Sequence, residues 1–119
     1  MSSGNNLYGK AYAFAVRIVN AYRYLCSTKR EFVLSKQVLR CGTSIGSNVA
    51  EANGAISKAD FSAKISIAYK KCLETKYWLS LLRDTNFIDE KTYNSIFTDA
   101  DELAKILFSI LKTTRIRNR

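Results

Sequence analysis

The sequence predicts an all-α protein, an antiparallel up-down-up-down four-helix bundle, on three observations. Apolar residues recur at three- and four-residue spacing through four stretches, short polar connectors separate those stretches, and the chain has no proline. Such spacing lays one apolar stripe along a helix, and a striped helix must bury its stripe against others. Without proline nothing interrupts a long helix from inside, and short connectors join antiparallel neighbours. At 119 residues the chain has the size of one domain. Residues 1–119 are therefore one bundle, with a short flexible N-terminal tail and a basic C-terminal one.

After the polar residues Met1 to Asn6, which read as frayed, Ala11, Phe14, Ala15, Ile18, Tyr22 and Leu25 predict a first helix of about Leu7 to Cys26. Tyr8, Tyr12 and Tyr24 widen its apolar surface. Beside arginines they could stack on nucleic-acid bases, but tyrosines so placed are more often the margin of a core or interface. Ser27 to Glu31 is a connector. The second helix carries Leu34, Val38, Cys41, Ile45, Val49 and Ala52 on one face. Its Gly42 and Gly46 would each cost about 1 kcal/mol relative to alanine in an exposed helix, which implies a neighbouring backbone that comes close. Neither a preceding strand nor a following Gly-Lys-Ser/Thr supports a phosphate-cradling loop. Beside the apolar face runs a polar stripe, Arg40, Ser44, Ser47, Asn48 and Glu51, read as a hydrogen-bonded seam between helices or subunits.

Asn53-Gly54 stops that helix, and Ser57 with Asp60 three residues on forms a capping box in aspartate form. Phe61, Ile65, Ala68, Cys72, Thr75, Leu79 and Leu82 then alternate by four and three, predicting a third helix to about Arg83. Ile67, Trp78 and Leu81 lie on another flank. That is more apolar surface than one seam consumes, and it predicts self-association through this flank. Arg83 to Asn86 turn the chain, Asp89 caps, and Tyr93, Ile96, Ala100, Leu103, Leu107 and Leu111 carry a fourth helix to about Thr114.

The net charge is +9 and histidine is absent, so the charge is nearly fixed across physiological pH and an anionic partner is expected. The same absence weakens acid–base chemistry, and no nucleophile–base pair is visible. Three separated cysteines, Cys26, Cys41 and Cys72, make a poor ligand set and read as buried free thiols. No catalytic residue, metal site or cofactor is therefore expected. Without a leader-like segment or a long apolar run, the reading is a cytoplasmic protein with no membrane role. Residues 105–119 contain five Lys or Arg and no acid. Antiparallel topology brings this tail to the end of the bundle that holds Lys10, Lys58 and Lys64. Lys10, Lys58, Arg115, Arg117 and Arg119 are the predicted phosphate contacts.

The run Leu39-Arg-Cys-Gly-Thr-Ser-Ile-Gly-Ser-Asn-Val-Ala-Glu51, with Ser57-Lys-Ala-Asp-Phe61 and Glu74-Thr-Lys-Tyr-Trp78, resembles the four-helix-bundle proteins encoded in intervening sequences of bacterial large-subunit ribosomal RNA genes. The accessory variability proteins of diversity-generating retroelements look like relatives. The resemblance covers roughly residues 8–113. It implies a homopentameric ring with a basic surface and, for the retroelement members, binding to nucleic acid and to a reverse transcriptase. It implies no catalytic residues, and Ser44, Asn48 and Glu51 look structural. Two functions compete: a non-enzymatic oligomeric accessory protein that binds RNA or DNA through phosphates, and a structural or protein-interaction bundle whose charge serves solubility. Salt-dependent binding of RNA separates them.

Overall fold

The structure, a computed structural model, describes the backbone of residues 3–117 and the side chains of residues 6–114. Four helices follow one another: α1 (Ser3–Ser27), α2 (Leu34–Asn53), α3 (Lys58–Asp84) and α4 (Glu90–Arg117). No strand occurs among the described residues. Each helix packs along the next, and α1 closes on α4 over a much smaller contact. The result is the predicted up-down-up-down bundle, a rod of 47 × 25 × 20 Å. Two ends differ from expectation. α1 takes in the polar residues from Ser3, which were expected to fray, and α4 runs beyond Thr114 to Arg117.

The stripes meet in one core. Phe14, Ile18 and Leu25 of α1, Val38, Ile45 and Val49 of α2, Ile65, Leu79 and Leu82 of α3, and Leu103 and Leu107 of α4 are all buried. Burying a side chain of this size contributes about 1.5–3 kcal/mol, so the core supplies most of the force that holds the helices together. The two buried polar side chains find partners. Thr75 donates to the Lys71 carbonyl at 2.7 Å and lies 3.2 Å from Cys41 Sγ, and Ser35 donates to the Glu31 carbonyl at 2.8 Å. No buried side-chain donor or acceptor is orphaned among the described residues, as a uniquely packed core requires.

Caps fix the helix ends. Ser57 Oγ accepts from the Asp60 amide at 3.0 Å, the predicted cap bond, while Asp60 accepts from the Ile56 amide at 3.2 Å, one residue before the Ser57 amide that a capping box would use. Asp89 accepts from the Thr92 amide at 2.7 Å and starts α4. α2 does end at Asn53, but Gly54 has φ −101°, so the stop does not use a left-handed glycine. α2 starts in an unforeseen way. Val33 occupies its cap position and offers no side-chain bond, while the Glu31 carboxylate upstream takes the amides of Val33, Leu34 and Ser35 at 3.2, 3.0 and 2.7 Å.

The two glycines of α2 face α1 with unequal demands. A Cβ on Gly42 would lie 2.8 Å from Ile18 Cγ1 and 2.9 Å from Cγ2, whereas one on Gly46 would lie 3.4 Å from the Ala11 carbonyl oxygen. The tightest approach is thus to a side chain, at Gly42. The polar stripe is satisfied largely within α2: Asn48 donates to the Ser44 carbonyl at 2.8 Å and to Ser44 Oγ at 3.1 Å, and Ser47 donates to the Ser44 carbonyl. Between helices it contributes the Glu51–Lys64 pair at 2.7 Å. Within one chain, the stripe is thus mostly a feature of one helix rather than a seam between helices.

Candidate nucleic-acid interface

Pairing decides where a basic protein shows its charge. All ten side-chain carboxylates of the chain are engaged. Glu31, Asp60 and Asp89 cap helices. The others meet cations: Glu51 with Lys64, Glu74 with Lys71, Asp84 and Glu90 with Arg83, Asp99 with Arg17, Asp101 with Lys76 and Lys105, and Glu102 with Lys10. The acids of α4 thereby tie that helix to its neighbours. Arg17 reaches Asp99 at 2.6 Å and Ser95 Oγ at 2.8 Å, so it bridges the thin α1–α4 contact.

Environment shifts several of these groups. Lys76 and Lys105 hold the Asp101 carboxyl below its ordinary value. For Glu31 the largest single influence is burial, which raises its pKa, yet the amides of Ser35, Leu34 and Val33 and the Ser35 hydroxyl together hold it below the usual carboxylate range. Burial pushes the Cys72 thiol up to about 12 and raises Cys41 too, so both thiols are protonated at neutral pH and neither is an activated nucleophile. No cluster of metal-ligating side chains occurs among the described residues.

With the pairs accounted for, nine cations among the described side chains lie exposed without an acid partner: Arg23, Lys29, Arg30, Lys36, Arg40, Lys58, Lys70, Lys91 and Lys112. Of the predicted phosphate contacts, Lys58 is exposed on the first turn of α3. It lines a cavity of about 440 Å³ with Ile56, Phe61, Thr113 and Thr114, which places the α2–α3 turn beside the end of α4, as the topology requires. Lys10 lies instead in the α1–α4 groove with its ammonium 3.1 Å from Glu102. The side chains of Arg115 and Arg117, and the whole of Arg119, lie outside the described residues. Lys64, expected at this end, is tied to Glu51.

The flank of α3 proposed for self-association is partly covered. Trp78 is half-buried against the core, donates from Nε1 to Glu74 at 3.3 Å, and meets the Tyr77 ring edge-on at 5.1 Å. Leu81 is half-buried and Ile67 is 39% exposed, while Tyr77 is 61% exposed and carries more free apolar surface than the residues singled out from spacing.

Sequence reasoning gave the opposite end of the rod only a reserve role, with Arg17, Arg23 and Arg40 as the phosphate contacts should the tail make none, and did not join Arg23 and Arg40 to Lys29, Arg30 and Lys36. There the α1–α2 connector and its flanks hold Arg23, Lys29, Arg30, Lys36 and Arg40 beside the exposed Phe32 and Val33. A count of acids along residues 23–40 could have found it, since Glu31 is the one acid in that stretch.

These features define a small basic four-helix bundle with its acids engaged and its surplus cations on the surface. None of its described helices is long and apolar enough to cross a membrane. The chain belongs to the 23S rRNA-intervening sequence protein family, whose match spans residues 4–109. It is also similar to a solved crystal structure from Bacteroides thetaiotaomicron, a protein described as of unknown function from the S23 ribosomal protein family. The two share 50% sequence identity over 93% of this chain and 99% of the other, with a TM-score of 0.92. No functionally curated protein matches the chain.

Proposed function

We propose that this protein is a non-enzymatic accessory protein that binds nucleic acid through phosphates, without reading sequence, as a homo-oligomer. The observation that carries this reading is the set of nine exposed cations, among the described residues, that are left without an acid partner when every acid is engaged. Such charge also serves solubility, but cations free of acid partners are the groups that can neutralise phosphates and release counterions. The family name, with its link to 23S rRNA, makes RNA the first ligand to try. Fluorescence anisotropy with a labelled RNA across a salt series tests the reading. Log affinity should fall linearly with log salt, by roughly 0.7 per phosphate contact on a single strand. Absence of binding at 50 mM salt or below would refute it.

Removing residues 115–119 should weaken binding and flatten that slope while costing no more helix than the last turn of α4 and leaving the melting temperature of the bundle unchanged. An unchanged slope would mean that the tail makes no phosphate contact.

The homo-oligomer is proposed to be a closed ring, held in part by the α3 flank of Ile67, Trp78 and Leu81 with Tyr77 beside it. The number five comes from the resemblance alone. A second reading, a protein-docking bundle, is favoured by the exposed Tyr8, Tyr12 and Val16 along α1. It predicts binding that salt leaves unchanged.

A further inference from the structure

The connector between α1 and α2 has two features that its packing does not require. First, residues 23–40 carry Arg23, Lys29, Arg30, Lys36 and Arg40, all exposed and none in an ion pair among the described residues. The one acid of that stretch, Glu31, is turned onto the first amides of α2. Second, Phe32 is 50% exposed and Val33 is 71% exposed on a backbone that is held in place rather than loose. The Glu31 amide bonds the Leu25 carbonyl at 2.9 Å, the Glu31 carboxylate fixes the next turn, and Arg30 takes a left-handed φ of 54°. The guanidinium of Arg30 lies 5.4 Å from the centre of the Phe32 ring. An aromatic ring carried on a rigid turn amid unpaired cations matches the make-up of a stacking platform on an electrostatic track.

We infer that this end of the bundle, Phe32 with Arg23, Lys29, Arg30, Lys36 and Arg40, is a binding surface for single-stranded nucleic acid. The inference rests on the nucleic-acid reading above and adds to it a place and a strand preference. The cations track the phosphates, and an unpaired base stacks with Phe32 and Arg30. A duplex keeps its bases stacked inside, so it can use the cations but not the ring. The α3–α4 turn at this end adds three acids, Asp84, Asp89 and Glu90, against Arg83 and Lys91, and Asp89 feels the charge of Lys29, but the five cations of residues 23–40 outnumber them.

The test compares the full chain with Phe32→Leu and with the double variant Lys29→Gln/Lys36→Gln. The probes are a labelled oligouridine 20-mer and a duplex RNA of equal length. Phe32→Leu keeps an apolar side chain and removes the ring face. It should weaken oligouridine binding about tenfold and leave duplex binding unchanged. The double variant should weaken both and lower the salt slope on oligouridine by about 0.7 for each phosphate no longer neutralised. As a second readout, Phe32→Trp should show quenching of indole emission by oligouridine beyond that of the parent, whose one indole is Trp78. If the parent binds RNA and Phe32→Leu binds oligouridine equally well, this inference fails and the phosphate-binding reading stands. If the parent binds neither probe, both fail. If Phe32→Leu lowers the assembly mass in light scattering with RNA binding unchanged, the patch is a contact between copies and the inference is overturned.

Discussion

Gly42 and Gly46 sit one turn apart on α2 and look equivalent in the sequence, yet their surroundings set opposite expectations for the same substitution. Gly42→Ala drives a Cβ to 2.8 Å from Ile18, a fully buried β-branched side chain with little rotamer freedom in a helix, so the core must shift to admit it. Overpacking of this kind costs about 1–3 kcal/mol, which outweighs the gain of about 1 kcal/mol from replacing a helical glycine. Gly46→Ala meets the Ala11 carbonyl at 3.4 Å, an ordinary contact, and keeps the propensity gain. Thermal melts should therefore show Gly42→Ala less stable than the parent and Gly46→Ala equal or more stable. Equal behaviour of the two would remove the steric distinction. The sequence makes legible that α2 comes close to a neighbour, because two glycines in a helix need a reason. It could not say which glycine is essential, because that depends on whether Ile18 or Ala11 lies opposite, and this register belongs to the packed pair.

The same contrast recurs at the level of helices. The starts of α3 and α4 are legible because their caps obey local spacing: Ser57 with Asp60, and Asp89 with Thr92. The start of α2 is not, since Val33 occupies the cap position and Glu31 acts from upstream through a turn that depends on the left-handed Arg30. Losing this cap should matter. Glu31→Ala should lower stability by about 1 kcal/mol, within the range of helix-cap deletions, and the loss can be measured by urea unfolding. Charge has its own signature here. The folded Glu31 carboxyl titrates below its ordinary value, so its stabilisation is present above the unfolded value of about 4.3 and disappears as pH falls through the lower folded value. The stability gap between the parent and Glu31→Gln should accordingly be full at pH 7 and shrink below pH 4. A gap that stays constant down to pH 2 would mean that the carboxylate charge contributes nothing.

Over the whole molecule, the charge of +9 is legible and its availability is not, because pairing joins residues far apart in the chain. Lys10 finds Glu102 and Arg17 finds Asp99 only once α1 lies beside α4, and this moves the weight of unpaired charge among the described residues toward the α1–α2 connector. Assembly would then multiply whatever one subunit presents. Exposed apolar side chains lie on two sides of the bundle: Tyr8 and Tyr12 by the α1–α2 groove with Gly46 and Ala50, and Leu73 and Phe108 by the α3–α4 groove, with Tyr77 on α3 also exposed. Different surfaces on different sides suit a heterologous contact, which closes into a ring when the rotation per subunit divides the circle. In such a ring each added subunit offers its cations to the same strand at high effective concentration. Affinity for oligouridine should therefore climb far faster than chain length between about 10 and 40 nucleotides. Tyr77→Glu, which puts a charge on the proposed contact, should bring the light-scattering mass down to one chain and reduce the length dependence to the statistical factor of more available sites. If the parent chain already scatters as a monomer at micromolar concentration, or if Tyr77→Glu becomes monomeric and keeps the steep length dependence, the ring is not what gathers these contacts onto one strand.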